Sequence, residues 1–315
     1  MRPNVAVMDC GSNSTRLLVS SPEGATLHRE MRITRLSEGV DASRRLTEAA
    51  LARTRQVLEE FGVIARRSDP CDIVVVATSA VRDAQNRQEF VEMARAASGG
   101  EVAVISGHDE ARYSYLGATA HLPVDERAPV VLDIGGGSSE IALQWDSRLW
   151  GTSTSLGCVR VSERCLGTGV IGAVETLRAR DFIDEELARA ASELPPLTDL
   201  AGRVRLVGLA GTVATLAQLV SSVVEYDRAA VHHRVLTRDQ VRVWRDRLSP
   251  LTPSQRATIP GMVPGREDVI VAGLLVLEGV MDLFGVSDLI TSEDDILDGV
   301  SADVRSGRRP VTMWV

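Results

Sequence analysis

Two stretches of the chain place an acidic residue and then small residues directly after an apolar run. In the stretch from 130 to 143, Asp133 ends the run, three glycines and two serines follow, and Glu140 precedes the next apolar segment. Glycines leave backbone N–H groups free to converge on an oxyanion, because no side chain stands in the way. A carboxylate at the end of the run could hold a cation beside that oxyanion. The spacing therefore predicts a phosphate-binding turn.

The same layout occurs near the start of the chain, in residues 5–19. The two stretches align at four positions, Asp9 with Asp133, Gly11 with Gly135, Ser14 with Ser138 and Arg16 with Glu140. Two ordinary glycine-rich hairpins are the alternative explanation, but the aligned acids favour a duplicated domain in which each half offers one phosphate-binding hairpin. We call residues 11–14 the first glycine turn and residues 135–138 the second.

The composition is typical of a soluble globular protein and argues against a nucleic-acid binder. The chain has 315 residues, of which 44% are hydrophobic and 25% charged, and this length predicts two domains. Aromatic residues make up only 3%, too few to stack on single-stranded bases, and a net charge of −8 opposes binding to a polyanion. An anionic substrate would need a local basic patch.

The absence of lysine excludes several mechanisms. The chain contains no lysine, so all 35 basic residues are arginine. A Walker A loop, a protein-kinase site and Schiff-base chemistry each require a lysine. Arginine in turn suits bidentate recognition of phosphate.

The cysteines and the hydropathy favour a cytoplasmic protein without a membrane anchor. Neither the four cysteines nor the five histidines have zinc-ligand spacing. The longest apolar run, from Val269 to Leu277, is too short to cross a bilayer.

Strand-like and helix-like patterns alternate along the chain, which indicates an α/β protein. Another glycine-rich turn, residues 208–212, follows a predicted strand, and we call it the third glycine turn. The polar segment 123–129 is the expected domain boundary. We therefore expect an N-terminal domain of residues 1–126, a C-terminal domain of residues 127–293, and a last helix within 294–315 that packs back on the first domain.

Five segments of the chain resemble one family. They are residues 9–14, 77–84, 105–112, 133–140 and 208–212. Their order and sequence resemble the exopolyphosphatase/guanosine pentaphosphate phosphohydrolase (Ppx/GppA) family, within the superfamily of actin, sugar kinases and heat-shock chaperones. The resemblance implies two actin-like, ribonuclease H-like domains with a cleft between them. One departure is Asp109-Glu110, where the family usually has two glutamates; only the second matches the catalytic position.

The resemblance also assigns roles to individual residues. It implies that Glu110 is the catalytic base, that Asp133 and Glu140 hold Mg²⁺ or Mn²⁺ with Asp9 as a further candidate, and that Arg82 contacts phosphate. The remaining predicted phosphate-binding residues come from the three turns, Gly11, Ser12, Asn13, Ser14, Gly135, Gly136, Gly137, Ser138, Gly211 and Thr212. Arg16, Arg35 and Arg160 are weaker candidates, and His108 is expected only to begin a helix.

The implied activity is release of terminal phosphate from inorganic polyphosphate by direct attack of water. Short chains are expected, because longer relatives carry additional helical domains. Three alternatives stay open at this point: a guanosine pentaphosphate (pppGpp) 5′-phosphohydrolase of the stringent response, an ATP-using kinase of the same superfamily, and an inactive polyphosphate or alarmone sensor. The resemblance further implies a homodimer.

Overall fold

The computed structural model describes residues 3–68, 71–222 and 225–313. The strands in these residues are, in chain order, β1 (Asn4–Cys10), β2 (Ser14–Ser20), β3 (Thr26–Ile33), β4 (Cys71–Ala77), β5 (Glu101–Val104), β6 (Ala128–Ile134), β7 (Ser139–Trp145), β8 (Arg148–Thr154), β9 (Val204–Leu209), β10 (Val235–Thr237) and β11 (Asp288–Thr291). Most are rich in valine, leucine and isoleucine, which pack well on a pleated surface.

Helices connect the strands. They are α1 (Val40–Ser43), α2 (Glu48–Arg66), α3 (Ser79–Asp83), α4 (Arg87–Ser98), α5 (Gly107–Thr119), α6 (Cys158–Val161), α7 (Ala173–Ala191), α8 (Leu197–Leu200), α9 (Ala210–Ser221), α10 (Arg228–Val231), α11 (Arg238–Leu248), α12 (Pro253–Ala257), α13 (Ile270–Phe284) and α14 (Ile296–Arg305). A short π-helix, Ser162–Leu166, follows α6 directly. The mixed α/β class expected from the sequence is confirmed.

The chain forms two compact units. Unit 1 contains the residues up to Gly117 together with those from Ile296 onward, and unit 2 is Ala118–Asp295. The chain therefore leaves unit 1 earlier than the expected boundary at residues 123–129. Side chains explain this, because His121 hydrogen-bonds Asp294 and Arg205 donates to the Pro123 carbonyl, both within unit 2.

Unit 1 is a five-stranded sheet in the order β3-β2-β1-β4-β5. The β1–β2 and β2–β3 pairs are antiparallel, whereas β1–β4 and β4–β5 are parallel. One face packs on α2 and α4 through residues such as Leu58, Phe61 and Phe90. The other face packs on α5 and α14, where Tyr113, Ile296 and Val300 are buried.

Unit 2 repeats this arrangement in a six-stranded sheet, β10-β11-β9-β6-β7-β8. Its β6, β7, β8, β9 and β11 have the same order and directions as β1, β2, β3, β4 and β5. Its core is built around α13, which is apolar on nearly every side and buried along most of its length. The repeated topology agrees with the duplication that the two glycine turns predict.

No helix among the described residues is long and apolar enough to cross a membrane.

Candidate functional site

The first glycine turn closes the β1–β2 hairpin of unit 1. The N–H of Gly11 donates to the Ser14 carbonyl at 3.0 Å, and a Cβ on Gly11 would lie only 3.1 Å from that oxygen. Asp9 and Arg16 are opposite each other in the strand register, and Arg16 Nη2 lies 2.6 Å from Asp9 Oδ2. The small residue at position 11 thus fits a tight turn, and the acid beside it is neutralised by an arginine of the next strand.

Two neighbouring segments hold the first glycine turn in place. The backbone N–H groups of Thr34 and Arg35 donate to the Asn13 carbonyl, and Ser37 N–H donates to the Ser12 carbonyl. Arg35 has a positive φ of 48°, a conformation that a branched or long side chain adopts at some energetic cost. The loop after β3 therefore fixes the outer side of the turn.

A chain of contacts leads from the first glycine turn to Glu110. The hydroxyls of Ser12 and Ser79 are 2.8 Å apart, and Ser79 begins the short helix α3. Arg82, on the same helix, donates through Nη1 to Glu110 Oε2 at 2.5 Å and to the Ile105 carbonyl at 3.1 Å. The structure thus brings Ser12, Arg82 and Glu110 into one neighbourhood of unit 1.

Glu110 lies in the first turn of α5 and is 8% exposed. Ser106 precedes this helix and caps it, because its hydroxyl accepts from the Asp109 N–H at 3.0 Å. A carboxylate here benefits from the positive end of the helix dipole. His108 next to it is exposed, which agrees with its expected role in starting the helix.

The second glycine turn closes the β6–β7 hairpin of unit 2 with the same geometry as the first. A Cβ on Gly135 would lie 3.0 Å from the Ser138 carbonyl, the same restriction as at Gly11. Asp133 and Glu140 are opposite each other in the register and are 5% and 1% exposed. Ser153, on β8, donates to Glu140 Oε1 at 2.6 Å.

The cross-strand partner distinguishes Asp133 from Asp9 as a candidate metal ligand. Two carboxylates directly opposite each other repel, and a cation that binds both relieves the repulsion. Carboxylate oxygens are also the donors that Mg²⁺ and Mn²⁺ prefer. Asp133 and Glu140 therefore fit a divalent ion. Asp9 fits less well, because the guanidinium of Arg16 already binds it. Within the described part of the chain, no group of three or more aspartate, glutamate, histidine or cysteine side chains is arranged to hold a metal ion.

The start of α6 packs on the second glycine turn. The N–H groups of Cys158 and Val159 donate to the carbonyls of Gly135 and Gly136, both at 2.9 Å. A Cβ on Gly157 would lie 2.1 Å from the Gly136 carbonyl oxygen, so only glycine permits this contact. Arg160 follows in the same helix and is half-buried.

The third glycine turn is a direct passage from β9 into α9. Ala210, the first residue of α9, has a positive φ of 65°, and Gly211 and Thr212 form the rest of its first turn. The Thr212 hydroxyl points to α13, since a Cβ on Gly273 would lie 2.2 Å from its oxygen. Burial raises the pKa of the Cys158 thiol above its ordinary value, and the charge of Arg266 and a hydrogen bond with Thr212 offset only part of that rise. Thr212 is thus oriented towards the interior of unit 2.

Arg266, between α12 and α13, is a charged residue that the sequence analysis did not select. It is 6% exposed, and a Cβ on Gly211 would lie 2.1 Å from its Cζ atom. Its guanidinium therefore lies directly on the backbone of the third glycine turn, and its charge also acts on Cys158 beside the second turn. Among 35 basic residues nothing local distinguishes Arg266, except its position just before the most apolar helix.

These features define a class of protein: an α/β fold with a duplicated sheet, in which each half carries an acidic, glycine-rich hairpin. Comparison with known proteins makes the assignment specific. A model of the Ppx/GppA phosphatase family matches residues 18–304. Exopolyphosphatase 2 of Mycobacterium tuberculosis is 40% identical over 315 residues, covering 94% of this chain and 97% of that protein.

Solved structures agree with this match. The Ppx/GppA family member of Aquifex aeolicus is 30% identical with a TM-score of 0.79, covering 97% of this chain and 98% of the other. An exopolyphosphatase from Cytophaga hutchinsonii, 23% identical, shares the fold with a TM-score of 0.88 over 98% of this chain and all of the other. The chain belongs to the Ppx/GppA phosphatase family, and its enzyme class is that of a phosphoanhydride hydrolase.

Proposed function

We propose that this protein is an exopolyphosphatase, which hydrolyses the terminal phosphoanhydride bond of inorganic polyphosphate by direct attack of water. The observation that carries the proposal is the buried contact between Arg82 and Glu110, joined through Ser79 to the first glycine turn. It puts a candidate base and a candidate phosphate ligand next to a turn suited to oxyanions. The relatives named exopolyphosphatase favour polyphosphate over pppGpp as the substrate.

In this proposal Glu110 orients the attacking water and accepts its proton. A carboxylate in this role typically accelerates hydrolysis about 10²–10⁴-fold. Its position in the first turn of α5 supports the role, because the helix start fixes the backbone on which the side chain is mounted. Arg82 would hold the carboxylate through Nη1 and bind phosphate oxygens once substrate is present, for which a planar guanidinium is suited.

Each glycine turn would supply backbone N–H groups to phosphate oxygens. We propose this role for residues 11–14, for residues 135–138 and for Gly211 with Thr212. The inward orientation of the Thr212 hydroxyl leaves its backbone N–H as the group for that contact. Arg266 joins this set, because its guanidinium lies on Gly211 and would add positive charge where phosphate oxygens bind.

Phosphatases of this family generally use a divalent metal ion. We propose that Asp133 and Glu140 hold it, as Mg²⁺ or Mn²⁺, with Asp9 in a lesser role. When bound, such an ion neutralises charge on phosphate oxygens and so stabilises the transition state. Ser153 keeps Glu140 in its cross-strand orientation by donating to Oε1.

The test of the proposal is phosphate release by the wild-type protein and by Glu110→Gln. We expect magnesium-dependent release from polyphosphate by the wild type and a loss of about 10²–10⁴-fold in kcat for the variant. Binding of tripolyphosphate, measured by calorimetry, should persist in Glu110→Gln because the turns are unchanged. The matched control is Asp109→Asn, which changes the neighbouring acid and should retain most of the activity.

Two results would contradict the proposal. Near wild-type turnover in Glu110→Gln would remove Glu110 from the mechanism. Faster phosphate release from pppGpp than from short and long polyphosphate under the same conditions would assign the enzyme to the alternative substrate.

A further inference from the structure

Arg256, on the short helix α12 of unit 2, is among the most deeply buried charged residues described. Its side chain is 1% exposed. Nε donates to the Leu248 carbonyl at 3.0 Å, and Nη1 donates to the Glu267 carbonyl at 3.1 Å. Removing a guanidinium from water is unfavourable unless its donors are satisfied. Two backbone carbonyls bind part of the guanidinium, while Nη2 is buried with no hydrogen-bond partner among the described residues.

One of the two carbonyls belongs to a helix of the unit 2 core and the other to a loop. Leu248 is the last residue of α11, whose end is part of the unit 2 core. Glu267 lies in the loop between α12 and α13, directly after Arg266. Arg256 thus ties the loop that carries Arg266 to a fixed point on α11. Burial lowers the pKa of Arg256, and the nearby carboxylate of Asp268 raises it.

The same loop has further restraints that end at Arg266. The Arg266 N–H donates to the Val263 carbonyl at 3.1 Å, and the Arg266 carbonyl accepts from Val269 and Ile270 at the start of α13. Ser162 donates to the Asp268 carbonyl at 3.3 Å. These bonds fix the loop backbone on both sides of Arg266, and Arg256 supplies the bond from the side of α11.

We infer that Arg256 is a positioning residue for substrate binding: it holds the residue 263–269 loop so that the Arg266 guanidinium stays on the third glycine turn. The inference rests on the proposed function of that turn in phosphate binding. The geometry supports a role through Arg266 because its guanidinium occupies the place where a Cβ on Gly211 would be. A loop displaced by an ångström would move that charge off the turn.

The inference predicts a specific kinetic effect of Arg256→Met. The KM for polyphosphate should rise about tenfold while kcat stays within about twofold, because the variant disturbs binding and not the base on unit 1. Arg256→Lys should give a smaller rise, since an ammonium cannot span both carbonyls with a planar fork. Calorimetric titration with tripolyphosphate should show the same loss of affinity.

A double-mutant cycle separates positioning from a general loss of stability. In an Arg266→Gln background, Arg256→Met should change KM by less than about twofold, because the residue through which it acts is already gone. Arg205→Met is the matched control: Arg205, also in unit 2, donates to a different loop at the Pro123 carbonyl. It should reduce the denaturation midpoint with KM unchanged.

Several results would overturn the inference. They are an unchanged KM in Arg256→Met, an equal rise in KM with and without Arg266, or an equal rise in Arg205→Met. If Arg256→Met does not fold, Arg256→Lys and Ser162→Ala are measured in the same cycle, and an unchanged KM in both would overturn it. Failure of the wild type to hydrolyse polyphosphate would contradict the proposed function instead. The tripolyphosphate titrations would then decide on Arg256 by themselves.

Discussion

At the scale of single residues, one substitution between the two hairpins separates their chemistry. The strand position opposite the acid is Arg16 in unit 1 and Glu140 in unit 2. An arginine neutralises its partner, whereas a second carboxylate creates a pair that attracts a cation. The duplicated layout alone would make both hairpins equivalent, so the side chain at this one position is the reason why we propose the metal site in unit 2.

This difference predicts which acids bind the metal. Glu140→Gln should weaken binding of Mn²⁺ at least about tenfold, because one of the two opposed carboxylates is lost. Asp9→Asn, the matched change in the other hairpin, should weaken it less than about threefold. Mn²⁺ affinity is measured by calorimetry or by water-proton relaxation without substrate. Equal losses in the two variants would show that Asp9 is a ligand of the same standing as Glu140.

A substitution at Gly211 tests whether Arg266 contributes to substrate binding. In Gly211→Ala the new methyl group would occupy the place of the Arg266 guanidinium, which would have to move. We expect the KM for polyphosphate to rise about tenfold or more, with the fold retained because the far end of a flexible side chain can give way. The readouts are steady-state kinetics and circular dichroism.

The control for this substitution is Gly169→Ala, at a glycine with no heavy atom within 4 Å of the added Cβ. It should leave KM unchanged. A Gly211→Ala enzyme with wild-type KM would exclude a substrate contact by Arg266.

At the scale of elements, the position of Glu110 depends on how α5 packs. Gly299, on α14, lies against α5 so closely that a Cβ there would be 2.1 Å from the Tyr113 carbonyl oxygen. Ser301 of the same helix hydrogen-bonds Ser20 of β2 at 2.7 Å. The last helix therefore fixes the helix that carries the proposed base.

Gly299→Ala should consequently reduce activity from a distance. The methyl group meets backbone and not a flexible side chain, so α5 or α14 must shift, and we expect a destabilisation of about 1–3 kcal/mol. If that shift moves Glu110, kcat falls at temperatures where the protein is fully folded. Chemical denaturation and kcat are measured together. If Gly299→Ala has the free energy of unfolding of the wild type, the close packing of α14 on α5 does not contribute to stability, which would contradict this prediction.

The sequence predicted the two acidic hairpins and missed the short helices. The β1–β2 and β6–β7 hairpins carry a strong local signal, an apolar run that ends in an acid and a glycine turn, and both are confirmed. Helices of four or five residues, such as α3 and α6, have too few turns for a detectable period. They are stabilised by tertiary contacts, as in the Ser12–Ser79 bond that anchors α3.

In the candidate site, too, the features that depend on local sequence could be predicted, and those that depend on long-range contacts could not. The two hairpins could be predicted because glycine spacing is local, whereas the register that places Asp133 opposite Glu140 comes from the structure. The contact of Arg82 with Glu110 joins residues 28 positions apart, and that of Arg266 with Gly211 joins still more distant segments. No local pattern encodes such pairs, so one arginine was found by resemblance and the other was missed.

At the scale of the whole molecule, unit 1 is assembled from both ends of the chain. Asp303 of α14 joins them, because it accepts from Arg112 of α5 at 2.5 Å and from Arg308 at 2.6 Å. Its side chain is 3% exposed. Burial raises the pKa of Asp303, but the hydrogen bonds from Arg308 and Arg112 outweigh it and lower the pKa below its ordinary value.

That shift predicts how the stability of unit 1 depends on pH. Because the folded-state pKa of Asp303 is lower than its unfolded-state value of about 3.9, its contribution is complete above pH 4 and is lost as the pH falls through the folded-state pKa. Asp303→Asn should therefore lower the free energy of unfolding by about 1–3 kcal/mol at pH 7, with the deficit shrinking below pH 4. Urea denaturation at several pH values measures it, beside Asp72→Asn, whose more exposed pair with Arg309 should matter little. A deficit of the same size at pH 3 and pH 7 would mean that Asp303 stabilises unit 1 by its shape and not by its charge.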